Sequence, residues 1–201
     1  MSTAEAQARI ARLYVERNRL YGSLPKCRNV LNLGCGSGSF PKNYPVAECL
    51  IVNVDRNEDV AGYPAYGPKN KGFSGFGLAS NSDGRCFNVT ADIMEMHRFP
   101  CAVFDMVVCG QLFEHFETRD LEWILHETHR VLAPGGFLQL DTVTDDLGED
   151  LDEHKQHFTL TSVHELVTRM LFRPIELYTF ANGTAIWALC ERMMPGPDPR
   201  T

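Results

Sequence analysis

Long apolar runs are missing from this 201-residue chain, and none reaches the length needed to span a bilayer. A membrane-spanning helix is therefore not expected. Basic charge is also scarce. Nineteen Lys and Arg stand against 26 Asp and Glu, for a net charge of −7, so the broad positive footprint of a nucleic-acid binder is absent. An acidic surface suits small molecules or cationic partners better than phosphate polymers. The cysteines number seven, are scattered, and include no C-x-x-C pair. That excludes a disulfide framework and points to buried free thiols in a reducing, cytoplasmic setting. The N-terminus has no apolar signal region, and Glu5 and Glu16 count against a transit sequence over Ala4 to Tyr21. There are no internal repeats.

What is present begins with Val30-Leu31-Asn32-Leu33-Gly34-Cys35-Gly36-Ser37-Gly38. An apolar strand runs into a turn with glycine at alternate positions. Such glycines do not help a core. They permit positive φ and bring backbone N–H groups close to a small polar ligand.

The rest of the chain alternates strands with crossovers. A helix is expected over Ala4 to Tyr21, with Ile10, Leu13, Tyr14, Arg17, Leu20 and Tyr21 on one face. Strands follow at Cys49–Val54, Cys86–Val89, Ala102–Cys109 and Phe137–Leu140. A helix over Leu121–Leu132 buries Leu121, Ile124, Leu125, Thr128, Val131 and Leu132, leaving His126 and His129 in solvent. Ser162 and Glu165 have capping-box spacing for a helix running to about Phe172. Asn182-Gly183 then turns a hairpin between Ile175–Ala181 and Thr184–Cys190. Alternation predicts an α/β fold with a mostly parallel sheet covered on both faces, and the hairpin makes its final strand antiparallel. The expected layout is an N-terminal helix (1–24), one domain (25–194) with an inserted flap (57–85), and a disordered tail (195–201).

Gly34, Asp55, Asp92, Gly110 and Asp141 all fall at strand ends, where ligands bind in such sheets. A dinucleotide motif would place Gly or Ala at position 39 and open a good helix. Here Ser39 stands there, and Pro41 and Pro45 interrupt the crossover. An acid about twenty residues after the first glycine suits the ribose of any adenosine cofactor.

The motif set resembles the class I S-adenosylmethionine (SAM) dependent methyltransferases, small single-domain type. Leu33-Gly34-Cys35-Gly36-Ser37-Gly38 is similar to their first motif, and Asp55 to their ribose-binding acid. Asp92-Ile93 resembles the pair that reads adenine. Phe104-Asp105-Met106-Val107 with Leu112-Phe113-Glu114-His115 resembles the fourth-strand motif. Arg130-Val131-Leu132-Ala133-Pro134-Gly135-Gly136 resembles the R-V-L-K-P-G-G before the fifth strand. The match spans roughly Cys27 to Arg192. It implies a three-layer Rossmann-like fold and SAM as cofactor, held by Gly34, Cys35, Gly36, Gly38, Asp55, Arg56, Asp92, Ile93, Cys109 and Gly110. The short, proline-bearing crossover and the long flap depart from the family pattern.

Methyl transfer is a displacement at a sulfonium carbon, so the protein mainly positions and desolvates. Candidates for a proton acceptor are His115, Asp141, His154 and His157. Each also has a plain packing or capping role open to it. His154-x-x-His157 lacks companion ligands in sequence for a zinc set, so no metal is expected. The acidic loop Asp145–Glu153 reads as a solvated segment, as a funnel for a cationic acceptor, or, third, as the holder of a divalent metal assisting a hydroxyl acceptor. The activity implied is methylation of an O or N atom of a small acceptor. A catalytically inactive SAM-binding regulatory or scaffold subunit is the alternative.

Overall fold

The computed structural model describes residues 3–36, 40, 44, 49–56, 79–80, 86–144 and 154–194. Gly38, Ser39, Pro41, Pro45, most of the expected flap, the acidic loop and the expected tail lie outside them.

Eight strands make one sheet: β1 (Asn29–Leu33), β2 (Leu50–Asp55), β3 (Ala79–Ser80), β4 (Cys86–Thr90), β5 (Phe104–Gly110), β6 (Leu132–Val143), β7 (Phe172–Phe180) and β8 (Ala185–Arg192). Their order is β3-β4-β2-β1-β5-β6-β8-β7. The five strands from β4 to β6 are parallel. β8 runs antiparallel between β6 and β7, as the hairpin predicts. One strand was not anticipated. β3, inside the expected flap, pairs antiparallel with β4 and closes the opposite edge.

Period-two alternation divides each central strand between two cores. Leu31, Leu33, Val52 and Val54 face α2 (Thr118–Val131) and α3 (Leu160–Arg169) through Leu121, Ile124, Leu125 and Leu166. Val30, Ile51, Met106 and Val108 face α1 (Thr3–Ser23) through Leu13 and Tyr21, and Leu24 just after it. The sheet is thus the middle of three layers.

Several boundaries differ from the sequence reading for physical reasons. The buried stripe of α2 is as expected up to Val131, but Leu132 is already the C-cap and the first residue of β6. Pro134-Gly135-Gly136 therefore lies inside a strand, with Gly135 at φ +72° where the ladder to β5 shifts register. Glu127 is buried on α2 too, because Arg130 neutralises it at 2.8 Å. His129 is not solvated. Its Nε2 sits 2.8 Å from the Met193 carbonyl oxygen and its ring packs edge-on against Phe172. α3 is capped by Thr159, whose side chain accepts from Ser162 N while the Ser162 hydroxyl accepts from Thr159 N. Ser162 is thus the far half of the capping box. The hairpin turn spans Ala181–Gly183, three residues with positive φ rather than two. On α1, Tyr14 is exposed while Arg17 is buried.

Candidate functional site

The parallel strands end at one rim. The register aligns Leu33 with Val54 and Cys109, Asp55 with Thr90, and Gly110 with Asp141. From β1 the chain goes first to β2 and β4 on one side, then to β5 on the other. The β1/β5 boundary is therefore the switch point, where open α/β sheets bind ligands.

Gly34-Cys35-Gly36 forms the turn above that boundary. Gly34 has φ +61° and Gly36 φ +49°. A Cβ at Gly34 would lie 2.6 Å from Leu112 Cδ1, a side-chain end that would have to shift, so the positive φ is the firmer demand for glycine there. A Cβ at Gly36 would meet nothing nearer than the Gly34 carbonyl oxygen at 3.8 Å. Among the described residues nothing else crowds it, and its positive φ is what calls for glycine. The turn is held by Cys35 N donating to Val54 O at 3.1 Å and Gly36 N donating to Asp55 Oδ2 at 3.1 Å. The turn and the acid of β2 are thus clasped to each other. Burial, then the neighbouring Asp55 charge, pushes the Cys35 thiol up to about 12. Arg56, next to Asp55, is exposed.

Beyond β4, Asp92 caps the 3-10 helix Ile93–Arg98, its Oδ1 accepting from Met94 N at 2.9 Å, and Ile93 is buried beneath. Arg130 fixes this element from α2 by donating to Met96 O and Phe99 O, each at 2.8 Å. The arginine of the Arg130–Gly136 motif thereby places the wall carrying Asp92. Cys109 is wholly buried, in the core on the α2–α3 side.

The expected proton acceptors separate. Asp141 has no exposed surface. Its Oδ2 accepts from Tyr21 Oη at 2.9 Å and Gln139 Nε2 at 3.2 Å. Its Oδ1 accepts from Gln111 Nε2 at 2.9 Å and lies 3.6 Å from an Arg17 nitrogen. A Cβ at Gly110 would strike the Tyr21 hydroxyl, so α1 can sit this close only over a glycine. His157 is exposed. His115 and His154 are half-buried and meet edge to face, 5.0 Å between ring centroids. Beside them lies a residue the sequence reading quoted in a motif but gave no role. Glu114, 1% exposed, accepts from Thr142 Oγ1 at 2.8 Å. Burial pushes its carboxyl up to about 7, against the hydrogen bonds that favour its charge.

A glycine turn clasped to the acid of β2, at the switch point of a parallel sheet with an antiparallel last strand, defines a Rossmann-like nucleoside-cofactor protein of the methyltransferase type. The chain belongs to the class I SAM-dependent methyltransferase family: the family model described as "Methyltransferase domain" matches residues 31–140. It is 30% identical over 160 residues to "Probable methyltransferase PMT5" of Arabidopsis thaliana, covering 80% of this chain. The chain spans about a quarter of that relative, 24% of its length. Among solved structures, the N-methyltransferase NodS from Bradyrhizobium japonicum WM9 superposes with TM-score 0.65 at 16% identity, covering 93% of this chain and 98% of that one. A SAM-dependent methyltransferase from Archaeoglobus fulgidus gives TM-score 0.68 at 14% identity, covering 91% and 93%. These two likenesses concern the fold. No helix among the described residues is long and apolar enough to cross a membrane.

Proposed function

We propose that the chain binds SAM above the β1/β5 boundary and transfers its methyl group to an O or N atom of a small acceptor. The observation that carries this is the clasp of Gly36 to Asp55 at the switch point of the sheet. The residues fit the cofactor: a positive-φ turn admits close backbone approach, Asp55 stands ready for ribose hydroxyls, and Asp92 for the adenine amine. When bound, SAM supplies an electrophilic methyl carbon. The chain's own share is to hold the nucleoside, exclude water with α1 over the rim, and orient the acceptor. Gly34, Cys35, Gly36 and Gly110 offer backbone, with Arg56 and Ile93 flanking the base. Asp141, engaged by its donors, is a positioning residue for α1. His115 and His154 are the candidates that border the rim. The free thiols Cys27, Cys35, Cys101, Cys109 and Cys190 support a reducing, cytoplasmic setting.

Calorimetry with S-adenosylhomocysteine tests the reading. Saturable binding is expected, and Asp55→Ala should weaken it by about 1–3 kcal/mol, the cost of unpaired polar groups. No binding at millimolar ligand refutes it. Binding without turnover on any acceptor of a broad panel favours the regulatory subunit.

A further inference from the structure

Outside the turn, the described residues hold one trio of side chains in metal-binding proximity, and chain spacing hides it. Glu114 and His115 end the 3-10 turn Phe113–His115 after β5, and His154 comes from the segment before α3. That segment is tied down by Lys155 N and Gln156 N, which donate to Glu114 O at 2.8 and 3.4 Å, and by Gln156 Nε2 donating to Phe116 O. One carboxylate oxygen of Glu114 and one ring nitrogen from each histidine all lie within 4.8 Å of one another.

We propose that Glu114, His115 and His154 bind one divalent first-row cation of the zinc type. Two imidazoles and a carboxylate, with a fourth position open, are the donor set of zinc sites that exchange a ligand. Imidazole selects such metals over magnesium and calcium, which take oxygen. Tetrahedral bonds of about 2.0–2.1 Å put ligand atoms about 3.3 Å apart. The rings therefore need to move inward by roughly an ångström, and both stand at a rim rather than inside the core. The Thr142 bond fixes the Glu114 carboxylate, as second-shell partners do for metal ligands. The site borders the ends of β5 and β6, one strand from the Gly34 turn. An acceptor hydroxyl or amine is the ligand class for its open position, a clause that rests on the proposed function.

The test uses the metal alone. The full chain, stripped with chelator, is titrated with Co²⁺ and followed by its visible absorption. One equivalent should bind, yield to Zn²⁺, and resist millimolar Mg²⁺. His115→Ala and His154→Ala should each weaken binding by at least about tenfold with the circular dichroism unchanged. His164→Ala, on the exposed side of α3, should leave it as it was. Lack of stoichiometric binding, displacement by Mg²⁺, or full affinity in both histidine variants overturns the proposal. None of these readouts involves the methyl donor. Failure here leaves the cofactor reading intact, and loss of S-adenosylhomocysteine binding leaves this one intact.

Discussion

Asp141 draws its partners from distant parts of the chain: Arg17 and Tyr21 from α1, Gln111 from the loop after β5, Gln139 from its own strand. A buried carboxylate is tolerated only when its charge is matched and its lone pairs are filled. The Arg17 guanidinium supplies the charge, and the Tyr14 ring, 4.6 Å away, covers it on the outside. Tyr21, itself fully buried, has its phenol pushed well above the usual range by burial and then by Asp141, so it is a fixed donor. Tyr21→Phe keeps the ring packing and removes only the donor. It should cost about 1–3 kcal/mol, read as a lower urea midpoint with unchanged slope. A loss of a few tenths would show that solvent reaches the carboxylate. Of this, only the common face of Arg17 and Tyr21 was legible in the sequence. Asp141 read as a rim residue because it ends an apolar strand, and nothing local announces a hydrogen bond to a tyrosine 120 residues away.

At the scale of elements, legibility followed locality. The stripe of α2 was readable because 3.6-residue periodicity is written in the helix itself. The hairpin was readable because Asn182 and Gly183, at φ +59° and +85°, are the types that enter the left-handed region cheaply. The start of α3 was misplaced because two Ser/Thr-x-x-polar patterns overlap there. Thr159-x-x-Ser162 forms the box, and Ser162-x-x-Glu165 only resembles one. Thr159→Ala should therefore lose about 1 kcal/mol in chemical denaturation. Ser162→Ala should lose a similar amount, since it removes the reciprocal bond to Thr159 N. A silent Thr159→Ala would mean that the helix is held by packing of Val163, Leu166 and Val167 alone. The Glu114–His115–His154 trio lies beyond local reading for the same reason as Asp141: its members meet only after β6 and α3 are in place.

For the whole molecule, the sheet is common to both cores and couples the melting of one to the other. Trp187, fully buried, reports on the α1 side, and Trp123 packs against the α2–α3 side. In Trp123→Phe and Trp187→Phe variants, the fluorescence and circular dichroism midpoints should coincide within each protein. An earlier fluorescence transition for Trp187 would show that α1 and its core detach first. Sheet order beyond the β1–β5 alternation, including the short β3, required the register itself. Its sequence neighbours supplied no periodic signal.

The grip of α1 on the far end of the chain also bears on how the protein is made. Arg17 and Tyr21 leave the ribosome well before Asp141. Glu16 waits still longer for the Ala181 N–H it accepts at 2.8 Å, and Tyr21 for the Trp187 ring 5.8 Å away. β8, whose first six residues are all buried, is inserted between β6 and β7 later still. During synthesis part of the buried side of α1 can pack early on Val30, Phe40 and Ile51, while its contacts with Asp141, Ala181 and Trp187 wait for the later strands. Docking of α1 is therefore complete only once β8 is in its place in the sheet.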